Sequence, residues 1–319
     1  MTAAFTFPGQ GSQAVGMGKA LADAFPAASA VFEEVDAALG EKLSTTIWNG
    51  PAETLQLTEN AQPALMAVSL ATLRVLESEA GFSVPRDAAF VAGHSLGEYS
   101  ALAAAGSLSI SDTARLLRTR GRAMQKAVPV GVGAMAALLG LDYETAVAVA
   151  GEAAQGEVCQ AANDNGGGQV VVSGNKAAVE RAVEIAKTRG AKRAMMLPVS
   201  APFHCRLMQP AADAMAEALA GVTIRAPASP LVCNVLAGPI SEPDEIRGRL
   251  IEQVTGTVRW RESVAWMARH GVTQFFEIGA GKVLSGLVKR IADGAVGISV
   301  SGPNDIAAAK DALAATQAA

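Results

Sequence analysis

The sequence has few of the residues on which several classes of protein depend. Only 3 of its 319 residues are Cys and 3 are His, and aromatic residues make up 4%. So few and scattered cysteines exclude a disulfide framework, and no Cys-x-x-Cys pair suggests zinc. The shortage of aromatic residues argues against a surface that stacks nucleic-acid bases. We therefore predict neither a metal centre nor a nucleic-acid partner.

Charged residues and long apolar runs are also scarce. Charged residues form 18% of the chain, with 26 Lys and Arg against 30 Asp and Glu, so the net charge is −4. This balance disfavours a broad basic interface. No run reaches the roughly 18 apolar residues of a membrane span, and no signal-peptide pattern opens the chain. We therefore expect a soluble protein of a reducing cytoplasm that has no membrane partner.

Apolar residues, in contrast, are plentiful. Half of the residues are hydrophobic, which is enough for a large core. The length predicts about two domains, at roughly 150 residues each. Short apolar runs, at 3–7 and 87–92 for example, alternate with helical patterns. This alternation predicts an α/β fold with a mainly parallel sheet.

The stretch 130–198 has a different pattern. It reads as strand, helix, two strands joined by a turn at 163–168, helix and strand. This β-α-β-β-α-β order is typical of the ferredoxin-like unit. We predict an inserted ferredoxin-like small domain over 130–198 and a large domain made of 1–129 and 199–319.

A candidate nucleophile lies in residues 93–97, Gly-His-Ser-Leu-Gly, which match G-x-S-x-G. An apolar run precedes the motif and a helical pattern follows it, as in the elbow that exposes a serine hydroxyl. The glycines would let the chain approach itself closely. The N–H groups of Ser95 and Leu96 would lie at a helix N-terminus, where they can bind an oxyanion. The alternative is an ordinary turn with Ser95 as a capping residue.

A serine nucleophile needs a base, and three histidines are available. His94 adjoins Ser95 on a tight turn, where neighbours point apart. His270 ends a predicted helix, and the helix dipole accounts for it. His204 follows a strand end on a loop with two prolines, which favours it as the base, although it could also cap the next helix. No convincing acid lies between Ser95 and His204, which leaves a backbone carbonyl to orient the imidazole.

Arg120 is a charged residue that the helix pattern places among apolar residues. It falls on the apolar stripe of a helix predicted over 112–127, which Ser111 could cap. Arg118 and Arg122 lie off the centre of that stripe. A buried guanidinium is costly without an anionic partner. That partner is either a protein carboxylate or the carboxylate of a substrate, and the residues alone leave both open.

Two glycine-rich turns match nucleotide-binding motifs only in part. Residues 9–14 fit G-x-G-x-x-G/A, but 31–39 look helical where the fingerprint needs a second strand. Residues 279–282, Gly-Ala-Gly-Lys, are not followed by the Ser or Thr of a P-loop. We predict a tight strand-to-helix turn at 279–282, an exposed Lys282 and no cofactor.

Taken together, five segments resemble the malonyl-CoA:acyl carrier protein transacylase family of type II fatty-acid synthesis. They are residues 7–13, 93–99, 120–125, 199–208 and 277–284. The resemblance covers roughly residues 4–295. It implies a hydrolase-like α/β large domain that carries a ferredoxin-like small domain.

The resemblance also implies roles for individual residues. Ser95 would be the nucleophile and His204 the general base, then the general acid. Arg120 would bind the malonyl carboxylate. The oxyanion hole would consist of the backbone N–H groups of Gln10 and Leu96.

Two glutamines complete the implied site. The backbone carbonyl of Gln253 would orient the histidine, which would explain the missing acid. Gln62, just before Pro63 and predicted as a helix N-cap, would lie close to the site. Phe203 stands where many bacterial members have a small residue. In related polyketide acyltransferase domains, a Phe there accompanies a preference for malonyl.

The implied reaction is a ping-pong transfer of malonyl from malonyl-CoA to holo acyl carrier protein, by a monomer, for fatty-acid elongation. The alternatives are a serine esterase or thioesterase, a trans-acting acyltransferase of a polyketide pathway, and an inactive scaffold. Basic residues within 187–193 and 282–290 could receive an acidic carrier protein. The sequence assigns neither cluster to that role.

Overall fold

The N-terminal part of the chain alternates strands and helices, as the apolar pattern predicts. A computed structural model describes residues 2–318. The elements up to residue 127 are β1 (Thr2–Phe7), α1 (Lys19–Ala24), α2 (Pro26–Leu39), α3 (Leu43–Asn49), α4 (Ala52–Gln56), α5 (Thr58–Ala80), α6 (Val84–Asp87), β2 (Ala88–Gly93), α7 (Gly97–Ala104) and α8 (Ile110–Ala127).

The next segment forms the predicted second sheet. Its elements are β3 (Gly133–Leu139), α9 (Tyr143–Ala154), β4 (Cys159–Gly166), β5 (Gln169–Asn175), α10 (Lys176–Thr188) and β6 (Arg193–Met196). The strand order is β4-β5-β3-β6, and every pair is antiparallel. Most of its buried hydrophobic residues form a separate core cluster. The ferredoxin-like arrangement is confirmed, and the domain limits at 130 and 198 stay a prediction.

The chain then returns to the first sheet. After a 3₁₀ turn at Arg206–Met208, its elements are α11 (Gln209–Ala220), β7 (Leu231–Cys233), β8 (Gly238–Ile240), α12 (Pro243–Gln253), α13 (Trp260–Arg269), β9 (Val272–Ile278), α14 (Val283–Ile291), β10 (Val296–Val300), a 3₁₀ turn at Pro303–Asp305, and α15 (Ile306–Ala318). The tail predicted as a surface helix over 305–319 buries one face, at Ile306, Ala309 and Leu313. Its predicted last residue, Ala319, lies outside the described residues.

The first sheet has six strands in the order β10-β9-β1-β2-β7-β8. All its pairs are parallel except β7 with β8, so the predicted mainly parallel sheet is confirmed. Phe5 and Phe7 of β1 pack into the core cluster that contains α5, whereas Ala4 packs with Trp260 and Phe275. Because alternate residues of a strand face opposite sides, the sheet is covered on both faces.

Parallel strands of this sheet end at a common edge. β1, β2 and β7 are neighbours in the sheet and end at Phe7, Gly93 and Cys233. The residues that follow these ends include Gln10 and Ser95. Carboxyl ends of parallel strands are where open α/β sheets bind ligands. The topology therefore brings distant parts of the sequence to one edge.

Two helix starts differ from the prediction. The N-cap of α8 is Ser109, whose Oγ accepts from the Asp112 N–H at 3.0 Å. The predicted cap, Ser111, donates its hydroxyl to Glu34 instead, at 2.8 Å. A tertiary contact thus takes the side chain that the local sequence would have used as a cap.

The second difference concerns α5. This helix begins at Thr58, so Gln62 lies inside it and is not its N-cap, and Pro63 lies beyond the first turn. Proline lacks an N–H, which makes it typical of a first turn and predicts a later start. The first turn forms regardless, since the N–H groups of Asn60 and Ala61 both donate to the Leu57 carbonyl at 2.8 Å.

The hairpin between β4 and β5 is tighter than predicted. β4 continues to Gly166, which pairs with Gln169, so strand residues occupy most of the predicted turn at 163–168. Gly167 and Gly168 form the turn with φ of 60° and 73°, values that glycine adopts readily. β4 also contacts the segment between α12 and α13, because the Asp164 N–H donates to the Val258 carbonyl at 2.9 Å.

None of the helices within residues 2–318 has the length and apolar character needed to cross a membrane.

Candidate active site

The predicted elbow is present between β2 and α7. Ser95 adopts a positive φ of 53° in the turn. A Cβ on Gly93 would lie 1.9 Å from the carbonyl of Gly97, and one on Gly97 would lie 2.3 Å from the Phe7 carbonyl oxygen. Both glycines are therefore required by close backbone approach. This packing holds Ser95 at the edge of the sheet.

His204 is the histidine that reaches Ser95. Its Nε2 lies 2.8 Å from Ser95 Oγ, and its Nδ1 lies 2.9 Å from the Gln253 carbonyl oxygen. Because a carbonyl only accepts, Nδ1 carries the hydrogen, and Nε2 is left to accept from the serine hydroxyl. The Gln253 carbonyl thus takes the position that an acid holds in a triad.

Burial keeps this imidazole neutral. His204 is 3% exposed. Its pKa is lowered to about 3, chiefly by burial and then by the nearby Arg120 charge, while the hydrogen bond to the Gln253 carbonyl acts in the opposite direction. A neutral imidazole with a free Nε2 can accept a proton at physiological pH.

The other two histidines lie apart from the serine hydroxyl. His94 Nε2 is 2.9 Å from Asn165 Oδ1, and the ring packs 5.8 Å from that of Trp260. His270 Nδ1 is 2.8 Å from the Trp266 carbonyl oxygen at the end of α13. Both have structural partners, which agrees with the preference for His204.

Arg120 projects from α8 to the same serine. It is 1% exposed, and its Nη2 donates to Ser95 Oγ at 3.2 Å and to Gln253 Oε1 at 2.9 Å. Its Nη1 donates to Gln62 Oε1 at 2.8 Å. Its guanidinium makes no ion pair within 4 Å among residues 2–318. The internal salt bridge left open by the sequence is therefore not formed in the described part of the chain.

Two of the three expected backbone donors lack a protein acceptor, and the third has one. Within residues 2–318, the N–H groups of Gln10 and Leu96 donate to no protein acceptor, and Gln10 lines the same cleft as Ser95. The Ser95 N–H, also expected to bind an oxyanion, instead donates to Asn234 Oδ1 at 2.8 Å. That part of the expectation is wrong, because the side chain that follows β7 already occupies this donor.

The comparisons with known proteins agree with this geometry. The family described as "Acyl transferase domain" matches residues 4–300. The chain belongs to the acyl transferase domain family.

Two relatives in this family are especially similar. The chain is 47% identical over 306 residues to the malonyl CoA-acyl carrier protein transacylase of Escherichia coli (strain K12), covering 96% of this chain and 98% of that protein. The crystal structure of an acyl-carrier-protein S-malonyltransferase from Bartonella henselae is 58% identical with a TM-score of 0.96, covering 98% of this chain and 100% of that one. The predicted family and fold class are confirmed.

A third relative was solved with a partner. It is a malonyl-transacylase in complex with its type II PKS acyl-carrier protein. It is 43% identical to this chain with a TM-score of 0.94, and the match covers 98% of this chain and 100% of that one.

The Gln253 side chain connects the groups of this acyl transferase domain. Its Nε2 donates to the Ser95 carbonyl at 3.0 Å and also to a carboxylate oxygen of Glu98. Its Oε1 accepts from Arg120. The resemblance implied a role only for the backbone carbonyl of Gln253. The amide adds a second connection, between the cation and a buried acid.

Glu98 and Asn234 are site residues that the sequence reasoning missed. Glu98 is fully buried beneath Ser95 and also accepts from the Asn234 N–H at 3.3 Å. Burial raises its pKa to about 7, although its hydrogen bonds, that of Gln253 first, and the Arg120 charge act in the opposite direction. An acid among apolar residues in the first turn of α7, and a polar residue directly after strand 231–233, were the available signals.

The site opens into a cleft of about 770 Å³ between the two sheets. Phe203 and Met124 line the cleft on the side of the first sheet, and Asn165 and Val171 line it from the second sheet. Phe203 is 8% exposed. A cleft of this volume falls within the usual range for small-molecule sites.

The other motifs have structural roles. Residues 31–39 belong to α2, so the strand that a dinucleotide fingerprint needs is not there. Gly279–Lys282 form the predicted turn between β9 and α14, and Lys282 is exposed. Within residues 2–318, no three His, Cys, Asp or Glu side chains are grouped so that they could hold a metal ion.

Proposed function

We propose that this protein transfers malonyl from malonyl-CoA to the phosphopantetheine thiol of holo acyl carrier protein, through a malonyl ester of Ser95. The observation that carries the proposal is the pair Arg120 and Ser95, a buried guanidinium 3.2 Å from a serine hydroxyl. The names of the relatives, which specify malonyl and an acyl carrier protein, support it.

The position of Arg120 suits a malonyl group. The carboxylate of malonyl is separated from the reacting carbonyl by one methylene, so its binding group must lie beside the nucleophile. In the described structure, the acceptors of Arg120 are the side chains of Gln62, Ser95 and Gln253, and all three are uncharged. A buried cation of this kind binds a carboxylate bidentately at low cost in desolvation, since the cation is already out of water.

The first half-reaction forms the ester. The Ser95 hydroxyl gives its proton to His204 Nε2 while Oγ attacks the thioester carbon. The N–H groups of Gln10 and Leu96 stabilise the negative oxygen. When the carbon–sulfur bond breaks, the His204 imidazolium returns the proton to the coenzyme A sulfur. The Gln253 carbonyl stabilises that imidazolium through Nδ1.

The second half-reaction reverses the roles. The phosphopantetheine thiol gives its proton to His204 Nε2 and its sulfur attacks the ester carbon. The same two N–H groups bind the oxyanion. The Ser95 oxygen leaves and takes the proton from the imidazolium. Apart from the two substrates, every group that acts in these steps is a side chain or backbone atom of the chain, so the mechanism uses no cofactor.

A transferase must keep water from the ester. A malonyl carboxylate held by Arg120 would fix the acyl group against the entering thiol and fill the space in which water would attack. The nearby Phe203 side chain reduces the volume for a branched acyl group. This arrangement favours malonyl transfer over the esterase or thioesterase alternative.

The pathway, place and assembly belong to the same proposal. We assign the transfer to fatty-acid elongation, with a polyketide carrier as the alternative, because one relative was solved with a type II PKS carrier. We place the reaction in the cytoplasm, which the three buried, unpaired cysteines support. A monomer remains the prediction, and light scattering on the purified protein checks it.

Intact-mass spectrometry after incubation with malonyl-CoA alone tests the proposal. We expect a malonyl adduct on the wild type, no adduct on Ser95→Ala, and movement of the adduct to holo acyl carrier protein when that is added. Free malonate without a transferable adduct would favour a hydrolase. A protein that forms no adduct and releases no malonate would favour the inactive scaffold.

A further inference from the structure

A chain of side-chain hydrogen bonds leads away from Arg120, on the side opposite His204. Arg120 Nη1 donates to Gln62 Oε1 at 2.8 Å, and Gln62 Nε2 donates to Thr58 Oγ1 at 3.2 Å. The Thr58 hydroxyl then donates to Gln10 Oε1 at 2.8 Å. These contacts connect the guanidinium to the residue whose N–H we assign to the oxyanion hole.

Arg120 determines which group donates and which accepts in each of these hydrogen bonds. A guanidinium only donates, so Gln62 must present Oε1 to Arg120 and Nε2 to Thr58. The Thr58 oxygen accepts from Nε2, which leaves its single proton for Gln10. Each group therefore has one role, and hydrogen bonds aligned in this way strengthen one another.

Helix packing holds Thr58 in place. Thr58 is fully buried at the start of α5. In α8, a Cβ on Gly121 would lie 2.7 Å from the Thr58 carbonyl oxygen and 2.5 Å from Glu59 Cα. The first turn of α5 therefore rests directly on α8, one residue after Arg120.

Gln10 is held much less firmly. It is exposed in the cleft, on the loop after β1. Within residues 2–318, its side chain makes one hydrogen bond, the one from Thr58. The position of the Gln10 side chain therefore depends on that hydroxyl.

We propose that Thr58 is a positioning residue for acyl transfer, whose hydroxyl holds Gln10, and with it the Gln10 N–H, in register with Ser95 and Arg120. The inference rests on the proposed function, which assigns that N–H to the oxyanion. A donor that acts on the oxyanion stabilises the transition state and not the bound substrate. Displacing it lowers kcat and leaves KM largely unchanged.

Three variants test this role. Thr58→Val keeps the shape of the side chain and removes the hydroxyl, and Thr58→Ser keeps the hydroxyl. Thr72→Val is the matched control, because Thr72 is buried in the same helix and donates to the Val68 carbonyl at 2.8 Å, away from the cleft. Thermal unfolding of each variant shows how far folding is affected.

Two reactions are measured for each variant. One is malonyl transfer, with kcat and KM determined separately. The other is acylation of Ser95 by p-nitrophenyl acetate, which needs the oxyanion hole but has no carboxylate for Arg120. If the wild type reacts with this ester but not with malonyl-CoA, the proposed function fails. The comparison of variants with the ester still decides the role of Thr58 in that case.

We expect Thr58→Val to lower kcat and the acylation rate about 10-fold, with KM within about twofold of wild type. Thr58→Ser should stay close to wild type, and Thr72→Val should change neither rate. The proposal is overturned if the two valine variants behave alike. It is also overturned if Thr58→Ser is as impaired as Thr58→Val, or if the whole loss appears in KM.

Discussion

Helix α8 carries two buried arginines, two residues apart, that differ in their partners. Arg118 is 6% exposed and Arg120 is 1% exposed. Arg118 forms an ion pair with Glu41 and lies 4.0 Å from a carboxylate oxygen of Glu59. Arg120 has only uncharged acceptors, one of which is the Ser95 hydroxyl.

This difference in partners indicates that Arg118 is a structural cation, whereas Arg120 is available to bind a substrate. Burial lowers the pKa of both guanidinium groups. For Arg118, the chain supplies the carboxylates that compensate for this cost. For Arg120, the groups that act against burial are Tyr99, whose ring centroid lies 5.7 Å from the guanidinium carbon, and then Glu98, which the Gln253 amide contacts. A buried arginine is thus informative about function when its partners, and not its burial, are examined.

Removing the guanidinium of Arg120 should have the largest effect. We expect Arg120→Ala to lower kcat/KM for malonyl-CoA about 1,000-fold, because a buried charge-assisted pair contributes about 4 kcal/mol. Transfer of acetyl, which has no carboxylate, should fall far less. The ratio of kcat/KM for malonyl-CoA to that for acetyl-CoA measures this. Equal losses for the two substrates would contradict the assignment of Arg120.

The variant Glu98→Gln tests whether Glu98 is a buried acid that titrates close to Arg120. The pKa of Glu98 is raised to about 7 in the folded protein, above its ordinary value, so the folded state favours the protonated form. Wild type therefore loses stability as pH rises through the interval from the ordinary value to 7. The glutamine variant has no such loss. The shift in the His204 pKa acts in the opposite direction but is common to both proteins and cancels.

The difference in unfolding free energy, Glu98→Gln minus wild type, should therefore grow by about 2 kcal/mol between pH 5 and pH 8. Urea denaturation at several pH values measures it. A difference that does not change with pH would mean that Glu98 is not the buried acid that titrates. Glu98 would then be a carboxylate near Arg120 at neutral pH, and the contrast between the partners of the two arginines would weaken.

Arg118→Ala should have the smallest effect on activity. Its loss leaves partly exposed carboxylates that water can solvate, so we expect a loss of about 1.5 kcal/mol in unfolding free energy. Malonyl transfer by the folded fraction should stay within about twofold of wild type, since Arg118 touches no group of the site. A loss of malonyl selectivity in this variant would remove the distinction between the two arginines.

The sequence was sufficient for the parts of the site that local pattern determines. The elbow follows from an apolar run, two glycines and a helix, and the geometry at Gly93 and Gly97 explains why these residues are needed. His204 emerged by elimination, because only three histidines exist. The helix pattern alone identified Arg120 as buried.

The missed features depend on contacts between distant segments. Arg118 is buried although it lies off the apolar stripe, because Glu41, between α2 and α3, and Glu59 of α5 face its guanidinium. The Ser95 N–H is occupied by Asn234, 139 residues later in the chain. α5 starts earlier than its proline predicts. Each of these depends on tertiary packing, which no local pattern reports.

A crystal structure of the protein with malonyl bound as an ester of Ser95 would test directly whether Arg120 binds the malonyl carboxylate. We expect both carboxylate oxygens to lie about 3 Å from the guanidinium nitrogens of Arg120. We also expect the ester carbonyl oxygen to point to the N–H groups of Gln10 and Leu96. A malonyl carboxylate directed into the open cleft, away from Arg120, would show that Arg120 does not bind the acyl group.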